Sequence, residues 1–77
     1  SEANVELSSR DREVLMALYS GVSPFEIPAF LGTEVDDVEE TFTRLVDLEI
    51  VELVRTRQEV SLNARGRNIA SEAMNEQ

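Results

Sequence analysis

Apolar residues recur in steps of three and four through the middle of the chain, at Val35, Val38, Phe42, Leu45 and Leu48. That spacing is the period of one helix face. The other face is almost all carboxylate, Glu34, Asp36, Asp37, Glu39, Glu40, Asp47 and Glu49, with Arg44 the one base. An amphipathic third helix is expected here, capped by Thr33 with Asp36 in its first turn. Upstream, Val14, Leu15 and Leu18 share a face, with Tyr19 at its edge. Ser8 and Asp11 offer a side-chain cap and a first-turn acid, and Gly21 a left-handed stop. The first helix is therefore expected over roughly 9–20. Ser23, Pro24 and Glu26 read as the start of a second helix, with proline at its first position and Ser23 and Glu26 as a capping box. Pro28 removes an amide and crowds a carbonyl, so this helix should be short, irregular and ended near Gly32. Its apolar residues Phe25, Ile27, Phe30 and Leu31 are expected in the core; an exposed Phe25 would instead mark a docking site.

After Leu48 the pattern changes. Ile50, Val51, Leu53 and Val54 suit a strand, and Val60 and Leu62 alternate with polar neighbours as a second strand. The link 55–58 contains neither glycine nor asparagine, so it is not a standard two-residue turn. Asn63 can cap a last helix holding Ile69, Ala70 and Ala73, with Gly66 in its first turn permitting close packing on the hairpin. Residues 1–6 are polar and expected to fray. The fold class is mainly α with a small β-hairpin (α+β), in a single domain over residues 1–77. The order is helix, helix, helix, strand, strand, helix.

The stretch LGTEVDDVEETFTRLVDLEIVELV resembles winged-helix regulators without a gap. The shared pattern is Leu31-Gly32, a capped helix from Thr33, Val38 in mid-helix, Leu45 near its end, then Ile50 and Val51 opening the wing. One departure is Glu49, where the family often has glycine. Val60 to Ala70, with Gly66 and Arg67, is similar to the family's second wing strand and closing helix. The resemblance implies a fold rather than a function, because this fold serves both DNA and protein contacts.

Charge sharpens the functional reading. The 77 residues carry sixteen acids against seven bases, a net charge of −9; every base is arginine. An acidic, lysine-free surface is expected of a cytoplasmic protein from a salt-rich cell, where salt screens self-repulsion. With no cysteine and no histidine, disulfides, zinc-thiolate sites and the commonest general base are excluded. Neither glycine-rich phosphate loop nor nucleophile motif is present, so no catalysis and no cofactor is expected. Asp36, Asp37, Glu39 and Glu40 form no closed oxygen cage for a metal, because neighbouring helix residues face different ways. No apolar run approaches a membrane span, and no membrane contact is expected.

DNA-binding winged helices insert the first turns of helix 3 into the major groove. The matching residues here are Glu34, Val35, Asp36, Asp37, Glu39 and Glu40. One acid could read a cytosine amino group, but five would all have to approach phosphate. The bland account is that Glu34, Asp36 and Asp37 complement the helix dipole, which leaves that repulsion in place. The expected partner is another protein with a complementary charged surface, met through Glu34, Asp37, Glu40 and Arg44. The wing region carries Arg55, Arg57, Arg65 and Arg67, which could hold phosphates or acidic protein groups. Equally, Arg55 and Arg57 could pair with Glu52 or Glu59 across the hairpin. DNA binding through these arginines, by a transcription regulator of a salt-adapted archaeon, stays as the alternative, disfavoured by the acidic helix. A homodimer stays open. Within the winged-helix group, ALYSGVSPFEIPAFLG and ARGRNIASEA are similar to the C-terminal part of the CheF family. These archaeal taxis adaptors link the chemotaxis response regulator to the archaellum. That resemblance implies protein docking in a haloarchaeal signalling chain.

Overall fold

The computed structural model describes residues 6–54 and 59–76. The expectations for residues 1–5, for Arg55 and Arg57 and for the link 55–58 lie outside them. The described chain forms helix α1 (Ser9–Tyr19), a 3-10 turn (Pro24–Glu26), α2 (Ile27–Leu31) and α3 (Val35–Asp47). Strands β1 (Val51–Val54) and β2 (Glu59–Leu62) and helix α4 (Ala64–Asn75) follow. This is the expected mainly helical α+β class with one antiparallel hairpin.

Local chemistry accounts for the ends of α1. Ser8 Oγ accepts from the Asp11 amide at 3.1 Å, and Asp11 Oδ2 accepts from the Ser8 amide at 3.0 Å. Two of the helix's free amides are thereby satisfied reciprocally. At the other end Gly21 turns left-handed, with φ +94°. Its amide then reaches the Leu18 carbonyl, and that of Val22 the Ala17 carbonyl.

The second helical segment departs from expectation. Ser23 makes no side-chain cap bond, so the Ser23–Glu26 capping box does not form. The reason is that the Ser23 carbonyl already accepts from the Glu26 amide at 2.9 Å, closing a 3-10 turn on Pro24. Pro28 then falls in the first turn of α2, where a missing amide has no helical partner to lose. Thr33 is likewise not the cap of α3. Glu34 holds that position without a side-chain bond, and Thr33 Oγ1 donates instead to Asp37 Oδ2 at 3.4 Å.

The core gathers Val14, Leu15, Ile27, Val38, Leu45 and Ile50, all essentially sealed from solvent, with Val51, Leu62, Ile69 and Ala70 around them. Helix α1 packs most extensively on α4 and also meets α2, α3 and β2. Phe25 and Phe30, expected inside, are 74% and 64% exposed. A helix as short as α2 offers one inward stripe, and Ile27 with Leu31 fills it at helical spacing. Phe30 faces away beside Leu31, and Phe25 rides on the preceding turn.

Two backbone features tie α3 to the hairpin. The amides of Glu49 and Ile50 return to the carbonyls of Val46 and Leu45, at 2.9 and 3.0 Å. This paired closure places Glu49 in the left-handed region, with φ +59°. In the hairpin, Val51 faces Leu62 and Leu53 faces Val60. Asn63 Oδ1 accepts from the Gly66 amide at 2.8 Å, starting α4 as expected. A β-carbon on Gly66 would stand 2.2 Å from the Ile50 carbonyl oxygen, so only glycine admits this approach.

Two substitutions test these features. Gly66→Ala forces backbone apart and should cost about 2 kcal/mol or more, lowering the melting temperature by at least several degrees. Glu49→Gly removes the left-handed penalty of roughly 1–2 kcal/mol, less the added chain entropy of glycine. It should raise stability by about 0.5–1 kcal/mol in a chemical denaturation curve.

Candidate functional site

Helix α3 presents three different faces. Val38, Thr41 and Leu45 point into the core. Asp36, Glu40 and Asp47 point to solvent, with Glu34 and Asp37 exposed beside them. Asp36 and Asp37 lie in the first turn, where the unsatisfied amides favour negative charge. Thr41 is buried, and its hydroxyl donates to the Asp37 carbonyl at 3.0 Å, so the core-facing polar atom is satisfied. Among the described residues, no cluster of three or more carboxylates could hold a metal ion.

Arg44 does not stand free on this surface. Its Nε donates to Asp11 Oδ1 at 3.2 Å and more weakly to Oδ2 at 3.4 Å, and its Nη2 also donates to Oδ1. Asp11 is only 2% exposed, while the guanidinium remains half in solvent. The carboxylate that caps α1 thus also clamps α3 across 33 residues of sequence. Burial pushes the Asp11 carboxyl up. The Arg44 hydrogen bonds, the Ser8 amide, the Arg44 charge and the Ser8 hydroxyl together outweigh that and hold it below its ordinary 3.8. Asp37, Glu40, Thr41 and Arg44 line a shallow concavity with Arg10. The structure therefore brings Asp37, Glu40 and Arg44 together, and it occupies Arg44 internally.

The wing-region arginines have unlike roles. Arg65 Nη1 donates to the Leu48 carbonyl at 2.9 Å, satisfying a free carbonyl at the end of α3. Arg67 is exposed in the first turn of α4. Arg55 and Arg57 lie outside the described residues.

On the side of α3 facing away from α1 is a feature that periodicity concealed. An apolar groove of about 250 Å³ runs between the 3-10 turn, α2 and α3. Pro24, Phe25 and Pro28 line it from the turn and α2, Val35, Val38 and Phe42 from α3, and Val60 from β2. Among the described residues, Glu39 is the one charged residue lining it. Val35 is 57% exposed although it continues the helix's apolar stripe. The signal in the sequence was the pair of prolines flanking Phe25, which shortens α2 and leaves Phe25 and Phe30 uncovered.

The family described as "Domain of unknown function (DUF8579)" matches residues 6–75. A curated relative, "Taxis protein CheF1" of Halobacterium salinarum, is 60% identical over 77 residues, covering all of this chain and 27% of its own length. The chain thus spans about a quarter of the curated relative it matches. No solved structure matches it.

Asp11→Asn tests the clamp. Losing a charged, mostly buried hydrogen-bond acceptor should cost about 1–2 kcal/mol at neutral pH. A carboxyl held below its ordinary value stabilises the fold above that value and stops doing so as pH falls through its folded one. The melting-temperature gap between the native chain and Asp11→Asn should therefore be full at neutral pH and narrow as pH drops below 3.8.

Proposed function

The chain belongs to the DUF8579 family, and we propose that it serves as the non-catalytic protein-docking domain of a taxis protein. In this reading it is a winged helix whose third helix meets a protein surface instead of a DNA groove. The longer protein is an adaptor joining the chemotaxis response regulator to the archaellum in the cytoplasm of a haloarchaeon. Support comes from the 60% identity to a taxis protein over the whole chain, and from the helix, hairpin and helix order. The observation that carries it is the solvent face of α3. Glu34, Asp36, Asp37 and Glu40 are exposed there, and the helix's one base is already bonded to Asp11.

Such a face repels a phosphate backbone and attracts a basic protein patch, which favours fast and selective encounter. Residues Glu34, Asp37 and Glu40 make the contact; Arg44 holds the helix in place for it. Arg67 stands apart from that face on α4, and Arg65 is committed to the end of α3.

Reversing charge at Glu34 and Glu40 together, to lysine, should weaken capture of the response regulator or the motor components about tenfold or more. Most of the loss should appear in the association rate, with melting unchanged. Unaltered capture removes this face from the interface. A gel-shift series with duplex DNA at falling salt should stay flat; a steep gain in affinity would show phosphate binding and overturn the reading.

A further inference from the structure

The apolar groove beside α3 has the size and charge of a receptor for another protein's side chains. Its volume, about 250 Å³, falls below the ~300–1,000 Å³ usual for small-molecule pockets. It is open on the side where Phe25 and Val35 stand 74% and 57% exposed. Covering an exposed apolar side chain on binding takes it out of water, which favours association. Two such groups, Phe25 on the turn and Val35 on α3, line a gap that the rigid Pro24 and Pro28 also line, so little order has to be imposed on binding.

Resting on the protein-docking reading above, we infer that this groove takes an amphipathic helical segment of the partner, its apolar stripe flanked by arginine or lysine. The length argues for a helix. Val35 and Phe42 are seven residues apart on α3, about 10 Å or two turns, which matches anchors at i, i+3 or i+4 and i+7. The rim argues for cations. Glu39 lines the groove, and Glu26, Glu34 and Asp36 are exposed on the elements that form it. A second copy of this chain is the poorer occupant, since two molecules at −9 each would meet with like charge.

The test uses two synthetic helical peptides of about 16 residues with the same leucine stripe, one flanked by arginines and one by glutamates. Each is titrated into isotopically labelled protein and followed by amide and methyl NMR. The arginine peptide should shift Phe25, Val35 and Phe42, and the glutamate peptide should bind at least tenfold more weakly. Phe25→Ala should weaken the arginine peptide about tenfold without changing the melting temperature, because that side chain is mostly outside the core. Glu39→Lys should narrow or reverse the preference between peptides. Absence of shifts at Phe25, Val35 and Phe42, or an unchanged affinity in Phe25→Ala, overturns the inference. Shifts confined to Asp37 and Glu40 would overturn it while leaving the acidic-face reading standing. Concentration-dependent dimerisation in sedimentation, abolished by Phe25→Ala, would overturn it in favour of a second copy.

Discussion

A single carboxylate joins the two helices on which the surface depends. Asp11 accepts the Ser8 amide at the start of α1 and the Arg44 guanidinium from α3. Sealing a carboxylate from water is costly unless its oxygens find charged or amide donors. Here both oxygens are engaged, and Arg44 keeps one side in solvent, so the desolvation is borne almost wholly by Asp11. The pair also sets the rotation of α3. With Arg44 turned toward α1, Val38 and Leu45 face the core and the carboxylates of the first two turns face out. Arg44 lies in the last turn of α3, where a cation also complements the helix dipole.

The remaining geometry follows from how little core a chain of this size can hold. The buried set is made largely of valine, leucine, isoleucine and alanine, and no aromatic residue belongs to it. Helix α2 is five residues long, hemmed between Pro24 and the left-handed Gly32. It spends its one inward stripe on Ile27 and Leu31, so Phe30, and Phe25 on the turn before it, have nowhere to go. That shortness is also what brings the 3-10 turn alongside α3 and opens the groove. Exposure of Phe25 and the existence of the groove are thus one consequence of where the prolines fall.

Much of this was legible in the sequence wherever the cause is local. Ser8 with Asp11, Gly21 and Asn63 each act within a few residues, and each appears where its chemistry requires; Gly66 was marked by its residue type, although the Ile50 carbonyl it makes room for is distant in sequence. Glu49 stood out as a residue in a glycine's place, and its positive φ is the structural counterpart. Legibility failed where two signals competed for one group. Ser23 lost its amide partner to a 3-10 bond, and Thr33 yielded the cap position to Glu34. It failed again where the cause is distant: nothing in the spacing of Asp11 and Arg44 announces their contact. Apolar periodicity also overstated burial, because Val35 keeps helical register with Val38 while lying beyond the edge of what packs against it.

Salt decides how the two halves of the surface divide the work. At about 1 M ionic strength the screening length is only ~3 Å, so exposed carboxylates act on what touches them and hardly beyond. Long-range steering fades, and with it most of the energy that surface ion pairs supply. Apolar contact is not screened in this way, and strongly hydrated salts reinforce it. In concentrated salt, a domain carrying this much negative charge cannot rely on that charge for holding power. On the docking reading proposed above, the groove at Phe25 and Val35 would then hold, and the adjacent carboxylates would choose, by rejecting acidic segments and phosphate at contact range. On a surface with the same charges and no groove, selectivity would persist in dilute buffer and vanish in the medium the composition suits.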